Sequence, residues 1–415
     1  MTRKRTALGA IGSQGMQALS SFTIQVIVAR TLGFDGLGAF AIAYGVMVLV
    51  AGVASGMVGD SLVVLERRER SIRSALQQYA VGIAALAAIA SAAVGWASGL
   101  LDAATALVFG VAVALFALEE IMRRLLMAGF GFWRVMMIDF AAFCVALVVI
   151  GIATLTGSLS LLVFLGAIAI GQLAAIALGI ALLPAEERFF VGFTRVGLVA
   201  VFQYGSWRSG QQFLRPAMLT VVRTLVTLLA SLAATGLLEA GRVYVAPATL
   251  AVSGLSSYLF ISFANDKKKP LREKLRRADR SVLALVGFTV LVGTVLVAAL
   301  PWAGALLFGT APDLFAVVGW IAYTASIAAV TPYGALAAVA GRQAAVFTVR
   351  AIDTVVAVGF VWTVLAAGGG VQWVPAALAG ASILGGLAIR WFILVPLIRR
   401  EPGAGTGSGS SAGLR

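Results

Sequence analysis

Residues 8–29 read LGAIGSQGMQALSSFTIQVIVA, and residues 207–231 read WRSGQQFLRPAMLTVVRTLVTLLAS. Each is mainly apolar over the roughly 20 residues that span about 30 Å of hydrocarbon as a helix. Each also carries a line of polar side chains that hydrocarbon penalises. In the first stretch Gln14, Gln17, Ser21 and Gln25 fall within about 80° of one another on a helical wheel. In the second, Arg208, Gln211, Arg215 and Arg223 fall within about 120°. A polar stripe running through the depth of a membrane must face a cavity or another helix. Both stripes are therefore expected to look inward, onto a shared wet cleft between the helices.

The rest of the chain has the same character. Hydrophobic residues make up 61% of the 415 and charged residues 12%. Mean hydropathy is +1.01, well outside the range of a soluble domain. About twelve spans are expected, near 8–29, 38–59, 79–100, 104–126, 134–156, 160–183, 207–231, 238–263, 281–305, 314–340, 344–367 and 374–398. Arg3, Lys4 and Arg5 before an apolar run imitate a secretory signal. However, three glutamines interrupt the run and no small-residue cleavage site precedes Arg30, so an uncleaved first helix is expected.

The loop charges predict the orientation. With the N-terminus inside, the inner loops carry Arg67, Arg68, Arg70 and Arg73, then Arg123, Arg124 and Arg134, then Arg188 and Arg195. The segment 267–280, KKKPLREKLRRADR, followed by Arg342, Arg399 and Arg400, continues the series, whereas the outer loops hold only Arg30 and Arg242. A multi-pass protein of the bacterial cytoplasmic membrane with both termini inside is expected. Segments 66–78 and 267–280 read as basic connectors touching lipid headgroups. The Gly/Ser-rich tail 401–415 reads as disordered. The net charge of +14 is thus explained by topology and anionic lipid, and no nucleic-acid partner is expected.

The absence of histidine and the single cysteine, Cys144, remove the commonest metal ligands and the usual near-neutral base. No phosphate loop, metal cluster or large outer loop suggests an enzyme, and no cofactor or metal is expected. H+ or Na+ coupling is left to carboxylates, of which Asp60, Glu119, Asp139 and Asp353 are the candidates. Local pairing of Asp139 with Arg134 and of Asp353 with Arg350 is the simpler role for the last two.

The halves resemble each other. Gly38 aligns with Gly241, Gly129 with Gly341, Asp139 with Asp353 and Pro184 with Pro396, at offsets of 203, 212, 214 and 212. Six spans per repeat make a parallel repeat about an axis along the membrane normal, with the substrate site between halves. The expected units are 1–195 and 196–400, each a six-helix bundle. Pro216 beside Arg215 is expected to kink the seventh span. Forked guanidinium bonds suit phosphate. The expected substrate-binding residues are therefore Arg215, Arg223, Arg208, Gln211, Gln14, Gln17, Ser21 and Gln25.

The run ARTLGFDGLGAFAIA (29–43), directly after the Gln/Ser-bearing first span, resembles the signature of polysaccharide flippases of the multidrug/oligosaccharidyl-lipid/polysaccharide exporter superfamily. Arg30, Leu32, Gly33, Asp35, Gly38 and Phe40 fill that pattern. AGFGFWR (128–134) is similar to the turn between the fourth and fifth helices of that family. The resemblance implies an all-α, V-shaped pair of six-helix bundles with helices 1, 2, 7 and 8 lining the cleft. It implies alternating access and an anionic lipid-linked glycan as cargo, with other polysaccharide assembly proteins as partners. Twelve spans, without the extra pair of lipid II flippases, make a peptidoglycan precursor a poorer fit. A drug antiporter on the same scaffold needs acids where the seventh span carries arginines. A glycan polymerase lacks its catalytic loop. A non-catalytic scaffold for polysaccharide synthesis would use 267–280 to dock.

Overall fold

A computed structural model describes residues 3–187, 191–265 and 270–400. Among the described residues the chain is helical throughout, without strands. Ten helical segments among the described residues are long and apolar enough to cross a membrane. The tail 401–415, Arg188 and Lys267–Lys269 lie outside the described residues.

The first helix, α1 (Arg3–Ala54), is twice the length of a span and bends at Gly33 (φ 69°, ψ −168°). In an unbroken helix Ser21 and Tyr44 would be about 35 Å apart. Instead they line one small cavity together, so α1 folds back as two limbs. A positive φ is tolerated there because the residue has no Cβ. The second limb continues through a widened turn at Ser55–Gly59, where the Asp60 N–H bonds the carbonyl five residues back, Ser55 O, at 2.8 Å. It ends at Val64.

Then come α2 (Arg70–Ala97), α3 (Ala103–Ala128), α4 (Phe132–Leu155) and α5 (Leu161–Leu182). Asp102 caps α3 by accepting from Ala104 N and Thr105 N, and Ser160 caps α5 through Val163 N. The second half holds α6 (Leu198–Leu229), α7 (Leu232–Asn265), α8 (Leu271–Ala299), α9 (Leu314–Val339), α10 (Gln343–Ala366) and α11 (Val374–Ala388). Counting both limbs of α1, these are twelve rods, in register with the expected spans. The α6 helix runs on through Pro216.

Helices α2 to α5 pack among themselves and against α1, and α7 to α11 pack in the same way around α9. The seam between the two sets is made by α1 against α6 and α7. Its closest approach is at the Gly33 end. A Cβ on Gly38 would sit 2.1 Å from Leu232 O, and one on Gly236 would sit 1.8 Å from Phe34 O. Only glycine allows two helix backbones to meet so tightly. The core beneath the seam is apolar and fully buried, with Leu37, Phe40, Met47 and Phe164 at its centre.

Candidate functional site

Where the two sets of helices diverge from the seam they enclose a cavity of about 530 Å3. Both limbs of α1, together with α3, α6, α7 and α9, contribute to its wall. The volume is that of a small-molecule or headgroup site.

One wall is the polar stripe of the first limb. Gln14, Gln17 and Ser21 line the cavity. Along this stripe exposure falls from Gln14, which is open, to Gln25, which is 3% exposed. Gln25 lies beyond the lining residues: its Oε1 accepts from Arg242 Nη2 at 3.3 Å, and this bond joins the first limb of α1 to α7. Aromatic rings complete the deep end. Tyr44 meets Phe116 edge to face with centroids 5.8 Å apart, and Trp320 meets Tyr323 at 5.7 Å.

Facing the stripe, α6 presents Gln212, Arg215, Pro216 and Leu219. Arg215 is exposed to this space, and no described acid pairs with it. It also lines an adjoining cavity of about 250 Å3 in the second half, with Gln211, Arg350 and Asp353 on the same wall. Arg350 Nη1 lies 3.8 Å from Asp353 Oδ2, so the expected local pair in α10 is present.

Two of the expected cleft arginines are elsewhere, and the reason is the same for both: an acid lies within reach. Arg223 is buried, and its guanidinium meets the Glu239 carboxylate with both nitrogen–oxygen distances at 3.2 Å. Arg242 holds the same carboxylate, with Nε 2.7 Å from Oε1. An arginine buried against a carboxylate is stabilised there by the pair and not by a ligand. Arg223 is thus half of a buried ion pair and is not among the residues that line the cavity. Arg208 Nε donates to Asp60 Oδ2 at 2.7 Å and Nη1 to Gln211 Oε1 at 2.8 Å, off the cavity wall. Gln212 donates to the same Asp60 oxygen at 3.0 Å. Asp60 therefore links the second limb of α1 to α6.

The carboxylates of the first half form one cluster. Arg123 reaches Glu120 Oε2 at 2.8 Å and Asp139 Oδ1 at 3.0 Å, with Glu119 Oε1 at 3.8 Å. Arg124 takes the other Glu120 oxygen at 2.8 Å. The Asp139 partner is therefore Arg123 of the neighbouring helix, not Arg134 as expected from chain proximity. Glu119 and Asp139 also line a small cavity of about 50 Å3 with Gln17, Ser21 and Gln172.

Sequence reasoning missed Arg242, Arg123, Arg124 and Glu239 as elements of the site. Arg242 had been counted with the outer loop although it falls four residues inside the expected span 238–263; α7 begins at Leu232, which puts Arg242 deeper in the helix and on the cavity wall. A signal was present. Glu239 and Arg242 are spaced i, i+3, and Glu119, Glu120, Arg123 and Arg124 are spaced i, i+3 and i, i+4, which sets them on one helix face.

The fold is shared with solved transporters. The lipid II flippase MurJ, in an inward closed conformation, superposes with a TM-score of 0.74 at 13% identity, over 94% of this chain and 87% of that one. An inward-facing multidrug resistance MATE family transporter of the MOP superfamily gives 0.67 at 12% identity, over 93% and 96%. A MOP superfamily transporter from Pyrococcus furiosus, described as having a binding pocket of reversed polarity, gives 0.64 at 12% identity over 95% of each chain. No family model matches the sequence, and no curated protein matches it. The chain therefore has the fold of MOP superfamily transporters and is a multi-pass membrane protein.

Proposed function

We propose that the protein is a flippase that moves a lipid-diphosphate-linked oligosaccharide from the inner to the outer leaflet of a bacterial cytoplasmic membrane by alternating access. The observation that carries this reading is Arg215, a guanidinium without an acid partner on the wall of a wide cavity between two helix sets. Arg124 and Arg242 share the same cavity, and their carboxylates, Glu120 and Glu239, are already engaged. An anionic headgroup entering this space meets one free fork and three charge-balanced arginines, Arg123, Arg124 and Arg242. Diphosphate oxygens accept such forks with charge-assisted bonds. Gln14, Gln17, Ser21 and Gln212 offer donors and acceptors for sugar hydroxyls.

Along the first limb of α1 the exposed end of the polar stripe is Gln14 and the closed end is Gln25, toward the Gly33 seam. Under the loop-charge orientation the open end faces the cytoplasm, where such a cargo is loaded. Rocking of the halves about the seam would break the Gln25–Arg242 bond and expose the same wall outward. The Pyrococcus furiosus transporter gives a precedent within this fold for a pocket of altered polarity. Coupling to H+ or Na+, within this reading, falls to Glu119 and Asp139, which share one arginine, Arg123, with Glu120, whereas Asp60 and Asp353 each have an arginine of their own.

A cation or drug antiporter draws support from one observation, the Glu119–Glu120–Asp139 group. Those acids turn toward Arg123 and Arg124, and of the three only Glu120 reaches the cavity wall. The cavity face stays cationic, which disfavours a cationic cargo.

The test is Arg215→Ala in cells that display the polysaccharide. Export should stop and the lipid-linked intermediate should accumulate in the inner leaflet, at wild-type protein levels. Normal export by this variant would overturn the reading.

A further inference from the structure

A second opening lies where the ends of α2, α3, α5 and the α1 extension meet, away from the central cavity. It has a volume of about 270 Å3 and shares no lining residue with that cavity. Its inner wall is hydrocarbon, from Leu62, Leu76, Ile121, Leu125 and Leu183. Its mouth is cationic: Arg67, Arg68 and Arg73 stand there, with Glu187 as the one carboxylate among the described lining residues. Glu66 and Glu69, the other acids of this loop, are not on its wall.

Glu187 satisfies only part of that charge. Its Oε1 lies 3.2 Å from Arg67 Nη2. Arg73 donates to the Glu187 backbone carbonyl. Arg67 Nε is buried without a hydrogen-bond partner, and a buried donor of that kind calls for an acceptor. Arg68 is exposed, and no described side chain pairs with it. Arg68 thus stands without a described side-chain partner beside the Arg67–Glu187 pair, at the lip of an apolar slot.

An occupant must supply negative oxygen at the mouth and hydrocarbon within. Free phosphate would fill only the mouth and leave the apolar wall wet. A lipid with a net neutral head would leave Arg68 unmatched. We propose that this pocket is a binding site for an anionic phospholipid of the surrounding bilayer, its phosphate held by Arg67, Arg68 and Arg73 and the head of an acyl chain seated between α2, α3 and the end of α5. Basic pockets between helices at a membrane face are suited to such headgroups.

The site adjoins the connector between the two halves. Ser74 Oγ donates to Gly192 O at 2.6 Å, Gln78 Nε2 donates to Thr194 O at 2.7 Å, and Thr194 N donates to Ser74 Oγ at 2.8 Å. A phosphate drawing on Arg67 and Arg73 beside Glu187 fixes the start of the same connector against α2.

The test uses the full chain in nanodiscs of equal parts phosphatidylglycerol and phosphatidylcholine, read by native mass spectrometry after release. Wild type should retain phosphatidylglycerol preferentially. Retention should fall about fivefold in Arg68→Gln and about twentyfold in Arg67→Gln/Arg68→Gln, and Ala80→Trp, which fills the slot, should abolish it. Arg68→Gln has no side-chain partner to lose, so it decides the matter if the double variant does not assemble. Arg215→Gln should retain lipid as wild type does. Equal retention of phosphatidylcholine, or unchanged retention in Arg68→Gln, overturns the proposal. So does loss of lipid in Arg215→Gln, which would put the lipid in the central cavity.

Discussion

Arg223 and Glu239 face each other across the junction of α6 and α7, Nε to Oε2 and Nη2 to Oε1, both at 3.2 Å. Thr235 Oγ1 adds a bond to the Arg223 carbonyl at 3.3 Å. Glu239 in turn is held by Arg242, which reaches Gln25. One continuous chain of polar contacts thus runs from α6 through α7 to the first limb of α1, at the closed end of the cavity.

Arg223→Ala leaves Glu239 with one cation instead of two in a buried place. The loss is expected to approach the roughly 3 kcal/mol typical of breaking a buried pair, visible as a lower unfolding temperature and lower abundance in the membrane. The double variant Arg223→Ala/Glu239→Ala should recover part of it. An Arg223→Ala protein as stable as wild type, yet dead in transport, would return Arg223 to the binding surface.

Arg215 should behave in the opposite way. Its removal costs little stability, because no partner is left behind. Binding of a diphosphate headgroup should weaken by about 10- to 100-fold in Arg215→Ala, the range of one charge-assisted contact. Arg215→Lys should fall between the two, since lysine keeps the charge but not the fork. Titration calorimetry with a short-chain isoprenyl diphosphate separates these cases.

The Gly236–Phe34 contact predicts a conformational effect. Gly236→Val places carbon where the Phe34 carbonyl now lies, so the seam must part. In a Cys144→Ser background, Ser21→Cys should react with an impermeant thiol reagent in inside-out vesicles and not in intact cells. Adding Gly236→Val should make it react from outside. Unchanged labelling would mean that the seam is not the outer gate.

A smaller effect is expected at Asp102, outside the spans. The Thr105 hydroxyl and the amides of Thr105 and Ala104 hold its carboxyl below the usual range. A lowered folded value means that its stabilising share is complete above the unfolded value and is lost as pH falls through the folded one. Asp102→Asn should therefore flatten the acid limb of the unfolding-temperature profile, and an identical profile would discount this cap.

The membrane class, the twelve rods and the polar stripe of the first limb were legible because each follows from local chemistry. Apolar length sets a span, and i, i+3, i+4 spacing sets a helix face whatever surrounds it. Gln14, Gln17 and Ser21 accordingly line the cavity, and so does Arg215. Which arginine is free was not legible. Arg208, Arg215 and Arg223 share a face of α6, yet Asp60 takes the first and Glu239 the last, from segments 148 and 16 residues away. Asp139 likewise passes over Arg134 for Arg123 on another helix. Charge in a low-dielectric interior goes to the nearest opposite charge in space, and that distance is set by how helices pack. Sequence alone determined that cations face inward; the tertiary structure decided which of them is left without a carboxylate.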